Sequence, residues 1–158
     1  MIDVQRARAV PHELVAEHRI IDCIVRLFVA TDNRDWAGVR ACLADTVHFD
    51  MTSVAGGQPA AVPAEQIIAG WTTGLALIES LHHQASNFRV TVRGDEADAF
   101  CYGIALHYRR TASGRNTRTF VGSYDFKLAT DDDDAWRITS FRFNLKFLDG
   151  NPALEQDG

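Results

Sequence analysis

At Ser80 the hydrophobic period of this chain switches from helical to alternating, which divides it into a helical half and a sheet half. Beyond that point the alternation predicts strands over about 82–93, 96–110, 116–130 and 135–147, joined by RGDE, TASGRN and TDDDDA, each rich in the residues that close hairpins. Before it, Leu14, Ile21, Val25 and Phe28, with Ile20, Ile24 and Leu27 widening the stripe, predict a core-facing helix over 12–31; His18 falls on the same stripe. Asn33 reads as the stop of this helix and Asp35 as the N-cap of a second one through Trp36, Val39 and Leu43. TVHFDM, residues 46–51, has strand character, AGGQPAAVP reads as a loop, and Pro63 opens a third helix through Ile67, Ile68, Trp71, Leu75 and Ile78.

Three helices followed by an antiparallel meander predict one α+β domain over 1–158, its core at about 12–148 between loose termini, with the helices on one face of a curved sheet. A chain of 158 residues buries a sufficient core without disulfides or metal, and 46% hydrophobic with 23% charged residues excludes a disordered or fibrous class. The strand over 96–110 sets Ala97, Ala99, Cys101, Gly103 and Ala105 against Phe100, Tyr102, Ile104, Leu106 and Tyr108. If the small side faces the helices, the bulky side is exposed in a monomer and marks an interface between copies of the chain.

A net charge of −5 argues against nucleic acid, because no basic excess exists to neutralise phosphates. Cys23, Cys42 and Cys101 lie far apart in apolar contexts without metal-like spacing, as in a reduced cytoplasmic protein. No apolar run reaches the roughly 20 residues of a membrane span, and the first residues lack the apolar stretch of an export signal. A metal is not expected: His82 and His83 point to opposite sides of a strand, HFD offers only His48 and Asp50, and no HExxH spacing occurs. Neither a glycine-rich phosphate loop nor a nucleophile elbow is present.

Asp32 continues the apolar stripe one turn beyond Phe28, so its carboxylate is expected to point inward, where it needs a hydrogen-bonding or cationic partner. Alternation puts His83, Ala85 and Asn87 on one side of the next strand and Phe88, Val90 and Val92 on the other. With the Phe88 side outermost, His83 points toward Asp32. A carboxylate holding one imidazole nitrogen leaves the other free as a general base. The competing reading is a hydrogen-bonded core histidine and a carboxylate at a helix end. Trp71, Trp36, Phe28 and Phe143 read as core, some of them suited to line a pocket for an apolar ring.

The order of the elements, with TDNRDW, LHHQASN, GDEADA, GSYDF and AWRI, resembles the SnoaL-like branch of the nuclear transport factor 2-like superfamily over about 12–148. That branch includes scytalone dehydratase, bile acid 7α-dehydratase and hexachlorocyclohexane dehydrochlorinase. The resemblance implies a cone-shaped α+β barrel with a cavity between a bent sheet and three helices, assembled as a homodimer or homotrimer. It implies Asp32 and His83 as the catalytic pair and Tyr124 facing the pocket. A second histidine of scytalone dehydratase corresponds approximately to His107, whereas its tyrosine before the helix-end aspartate is Thr31 here. The function expected on these grounds is a cofactor-independent lyase of dehydratase type, an isomerase or a cyclase, acting on a small hydrophobic cyclic molecule. His83 is the expected base, Tyr124, His107 and Asn87 hydrogen-bond the substrate, and Trp71 and Phe28 line its site. The alternative is a non-catalytic ligand-binding or interaction module of the same fold.

Overall fold

Helix α1 (His12–Asp32) carries the main helical contribution to the core of the computed structural model, which describes residues 11–157. Its buried face runs through Ala16, Ile20, Cys23, Ile24, Leu27, Phe28 and Thr31. That face is rotated from the expected stripe: Leu14 is 54% and Val25 40% exposed, and His18 faces outward. Small residues at 16, 23 and 30 let this side approach the sheet closely, which a face centred on Leu14 and Val25 would not. Phe28 and Asp32 sit one turn apart on its edge. The helix stops where Asn33 donates its side-chain amide to the Val29 carbonyl at 2.8 Å and Arg34 takes a left-handed φ of 56°. Asp35 then accepts from the Gly38 N–H at 2.9 Å and caps α2 (Trp36–Cys42). Leu43 no longer belongs to that helix; it opens β1 (Leu43–Asp50).

The stretch read as a loop contains more structure. A single turn, α3 (Thr52–Ala55), is followed by β2 (Ala60–Pro63), which pairs antiparallel with β1, and by α4 (Ala64–Gly74). Helix α4 ends at Gly74, short of Ile78, after two threonines and a glycine of poor helix propensity. The guanidinium of Arg34 donates to the carbonyls of Ile78 and Leu75, tying this turn to the end of α1.

Strands β3 (Ser80–Arg93), β4 (Glu96–Tyr108), β5 (Thr117–Thr130) and β6 (Trp136–Gly150) follow within two residues of the predicted bounds at most ends. The sheet order is β2-β1-β6-β5-β4-β3, antiparallel except for the parallel β1/β6 pair. The curved sheet does not close on itself, so the cone is an α+β layer structure with β2 and β3 as edges. The small side of β4 faces the helices: Ala97, Ala99, Cys101 and Ala105 are buried while Tyr102, Ile104 and Leu106 are exposed.

Two expectations fail for identifiable reasons. A bulge interrupts the β3/β4 register between Ser86 and Arg89, with Asn87 at φ 58°. The extra residue flips the side on which later side chains emerge, so Phe88, Val90 and Val92 pack against the core with His83 and Ala85, and Asn87 faces out. The C-terminal tail, expected to be loose, is docked: Leu154 is fully buried with Ile78 and Leu81, and Arg109 donates to the carbonyls of Leu154 at 3.0 Å and Glu155 at 2.6 Å. The first ten residues, also expected to be loose, lie outside the described residues. No helix among the described residues is long and apolar enough to cross a membrane.

Candidate active site

Asp32 reaches the sheet because α1 ends against the start of β3, where the Arg34 contacts hold the incoming chain. The backbone N–H of His83 donates to Asp32 Oδ2 at 2.8 Å, and His83 Nδ1 lies 2.6 Å from Oδ1. A carboxylate only accepts, so Nδ1 carries a proton and, in the neutral ring, Nε2 carries the lone pair. Phe28 stacks on the imidazole with centroids 5.2 Å apart and planes 12° from parallel, which fixes the ring plane. Burial pushes the Asp32 carboxyl upward, but the ring and backbone bonds from His83, and the charges of His83 and His82, outweigh it and leave its pKa below the ordinary value. The pair is therefore a carboxylate holding an imidazole. His82 faces the outer side and is exposed.

Nε2 of His83 has no hydrogen-bond partner among the described residues, and its ring lines a cavity of about 200 Å³ between the helices and the sheet. The walls are mostly aromatic and aliphatic: Phe28, Trp71, Tyr124, Phe141 and Phe143, with Met51 and Val54 from the segment around α3. Ser53 holds that segment in place by donating to the Phe143 carbonyl at 2.6 Å and accepting from the Leu145 N–H at 3.0 Å.

Tyr124 is 5% exposed and wedged among Phe28, Phe126, Phe141 and Phe143, at centroid distances of 4.7–5.7 Å. Burial first, then the neighbouring Cys101 and Asp32, push its hydroxyl pKa upward, so it stays a proton donor. The ring lies across Gly103: a Cβ there would meet Tyr124 Cε2 at 2.1 Å. Glycine at this point of β4 makes room for the tyrosine at the cavity wall.

His107 also lines the cavity, four residues beyond Gly103 on the small side of β4. Its ring stays uncharged at neutral pH because burial, and next the charge of Arg118, push its pKa down to about 4. Of the substrate-binding candidates, the fold thus gathers Tyr124, His107, Trp71 and Phe28 around His83 and Asp32. It does not bring Asn87 there; the bulge turns Asn87 into a concavity on the opposite face of the sheet, beside Arg89 and Tyr102.

Sequence reasoning missed Met51, Val54, Leu75, Phe120 and Phe141 on the cavity wall, and Arg118 behind it. Arg118 alone left a signal: it is the cation on the side of β5 that otherwise carries Phe120, Tyr124 and Phe126. Among the described residues, no cluster of three or more side chains suited to a metal ion occurs.

The chain is similar in structure to the Kfla4162 protein from Kribbella flavida, with 22% identity, a TM-score of 0.85 and coverage of 91% of this chain and 99% of that one. It is similar to a candidate scytalone dehydratase from Novosphingobium aromaticivorans at 14% identity and a TM-score of 0.76, covering 88% and 89% of the two chains. Hexachlorocyclohexane dehydrochlorinase LinA-type3 from Novosphingobium barchaimii matches at 13% identity and a TM-score of 0.70, covering 89% and 92%. At these identities the likeness is one of fold. No protein of curated function matches the sequence at a significant level. The SnoaL-like domain matches residues 12–142, most of the chain, and this protein, with its open curved sheet backed by helices, belongs to that family.

Proposed function

We propose that this chain is an enzyme of the lyase or isomerase type that abstracts a proton from carbon with His83, acting without a cofactor on a small apolar ring compound. The carrying observation is that the Asp32–His83 pair, joined at 2.6 Å, leaves Nε2 free on an apolar cavity. Asp32 orients the imidazole and stabilises the imidazolium that forms. In a dehydration, the C–H electron pair moves into the adjacent carbon system as the proton goes to Nε2. The leaving hydroxyl then departs with a proton returned to it, so the net loss is one water. In an isomerisation the same proton returns to another carbon. Tyr124, still protonated, is a donor for an oxygen that gains charge. Size favours one substituted ring: an apolar cavity of about 150 Å³ holds one benzene, and this one is about 200 Å³.

Exchange of the α-protons of simple cyclic ketones in deuterated buffer, followed by NMR, tests the base directly and needs no natural substrate. The folded protein should accelerate exchange, and His83→Gln should slow it by about 10²–10⁴-fold. Equal exchange in the two proteins, with the ketone shown to bind, would leave a non-catalytic carrier of ring compounds.

The exposed apolar residues of the sheet's outer side, Tyr102 at 43%, Leu106 at 40% and Phe147 at 56%, support self-association through that face. Three free, buried cysteines suit a reducing compartment such as the cytoplasm.

A further inference from the structure

Behind the cavity wall, Arg118 bridges the C-terminal tail and His107. Its side chain is only 11% exposed, and both terminal nitrogens bind Glu155: Nη1 donates to Oε2 at 2.8 Å and Nη2 donates to Oε1. Nη2 also lies 3.1 Å from His107 Nδ1. A guanidinium only donates, so Nδ1 supplies the lone pair and the single proton of the neutral ring resides on Nε2. That nitrogen has no hydrogen-bond partner among the described residues, and the ring faces the cavity.

His107 and His83 are diagonal neighbours on one face of the sheet, since Leu81 pairs with His107 and His83 with Ala105. Their second partners are of opposite charge: Asp32 leaves His83 with a lone pair at Nε2, and Arg118 leaves His107 with a proton at Nε2. We infer that Arg118, anchored by Glu155, locks His107 as a neutral N–H donor beside the base. The cavity thereby selects substrates whose abstracted proton sits on carbon next to a carbonyl oxygen.

The substrate class rests on the lyase or isomerase reading, whereas the locked tautomer does not. In the step concerned, the C–H electron pair moves toward the carbonyl, the proton goes to His83 Nε2, and the resulting enolate oxygen accepts from His107 Nε2–H without proton transfer. Arg118 and Glu155 are positioning residues. The charged and titratable groups facing His107 are Arg118 from β5, Glu155 from the tail, His83 from β3 and Asp32 from α1. Burial and Arg118 disfavour a second proton on the ring and outweigh the two carboxylates.

Two-bond proton–nitrogen NMR of the full chain labelled at histidine reads each tautomer without substrate. At pH 7, His107 should show an unprotonated Nδ1 and a protonated Nε2, whereas His83 should carry a proton on Nδ1. In Arg118→Gln the His107 midpoint should rise by about 1 pH unit and the single tautomer should become a mixture. In Glu155→Gln, which leaves the cation in place, the tautomer preference should weaken while His83 is unchanged. A protonated Nδ1 on His107 in the parent protein, or a pattern unmoved in folded variants, overturns the lock. With the lock present, failure of the parent protein to exchange cyclic ketones while Glu155→Gln leaves their affinity unchanged overturns the carbonyl selection.

Discussion

Asp32 does two jobs with one carboxylate, since one oxygen takes the His83 ring proton and the other takes the His83 backbone N–H. A carboxylate so placed sets both the ring's tautomer and where β3 meets α1. Gly103 illustrates the opposite case, a residue that matters for what it lacks. Tyr124 occupies the space a Cβ would need and is hemmed in by Phe28, Phe126, Phe141 and Phe143, so it has nowhere to retreat. Gly103→Ala is expected to destabilise the protein by about 1–3 kcal/mol through overpacking, measured by urea unfolding, and to weaken ring-compound binding by displacing the tyrosine. An unchanged midpoint would mean that the aromatic cluster yields more easily than its packing implies.

At the scale of elements, the bulge in β3 has the largest consequence. Strict alternation would have set Phe88, Val90 and Val92 on the face opposite His83, yet one extra residue at Asn87 lets a single strand present His83 to the cavity and those three side chains to the core. The C-terminal tail is the second such element. Its anchor is Leu154, buried in a small cluster with Ile78 and Leu81 apart from the main core. Leu154→Ala should therefore cost about 2–3 kcal/mol of local rather than global stability. Amide exchange would report it: residues 151–157 should lose protection while β4 and β5 keep theirs. Uniform loss across the sheet would show instead that the tail is part of the cooperative core.

For the molecule as a whole, His107 sets an acid limit on stability. Its ring holds fewer protons folded than unfolded between its ordinary value of 6.5 and its buried value of about 4. The associated stability is therefore complete above the first value and is lost as pH falls toward the second. The loss amounts to about 3 kcal/mol at most. Asp32, whose pKa is lowered, adds a separate loss that begins only as pH falls below the ordinary carboxylate range. Urea midpoints measured from pH 7 to pH 4.5 should decline through the histidine window; a flat profile would show that His107 is not held uncharged. Self-association belongs to this scale as well. Light scattering at micromolar concentration should give a multiple of the 17.5 kDa chain mass, and a monomeric mass would return the Tyr102 and Phe147 face to solvent.

The sequence by itself determined the order of the helical and sheet halves, the bounds of the four strands after Ser80 and the inward turn of Asp32 beyond Phe28. All of these follow from hydrophobic period and turn chemistry, which act over a few residues. Only the tertiary structure decided the side on which Asn87 emerges, the docking of the tail and the partner of His107. A bulge reverses every later side of a strand without altering composition, and the Arg118–Glu155 contact joins residues 37 apart in the chain, beyond the reach of any local pattern. The exposed α1 residues Leu14 and Val25 make the same point: a helix with apolar residues on several sides buries whichever side its neighbours fit, and here the small residues at 16, 23 and 30 made that choice.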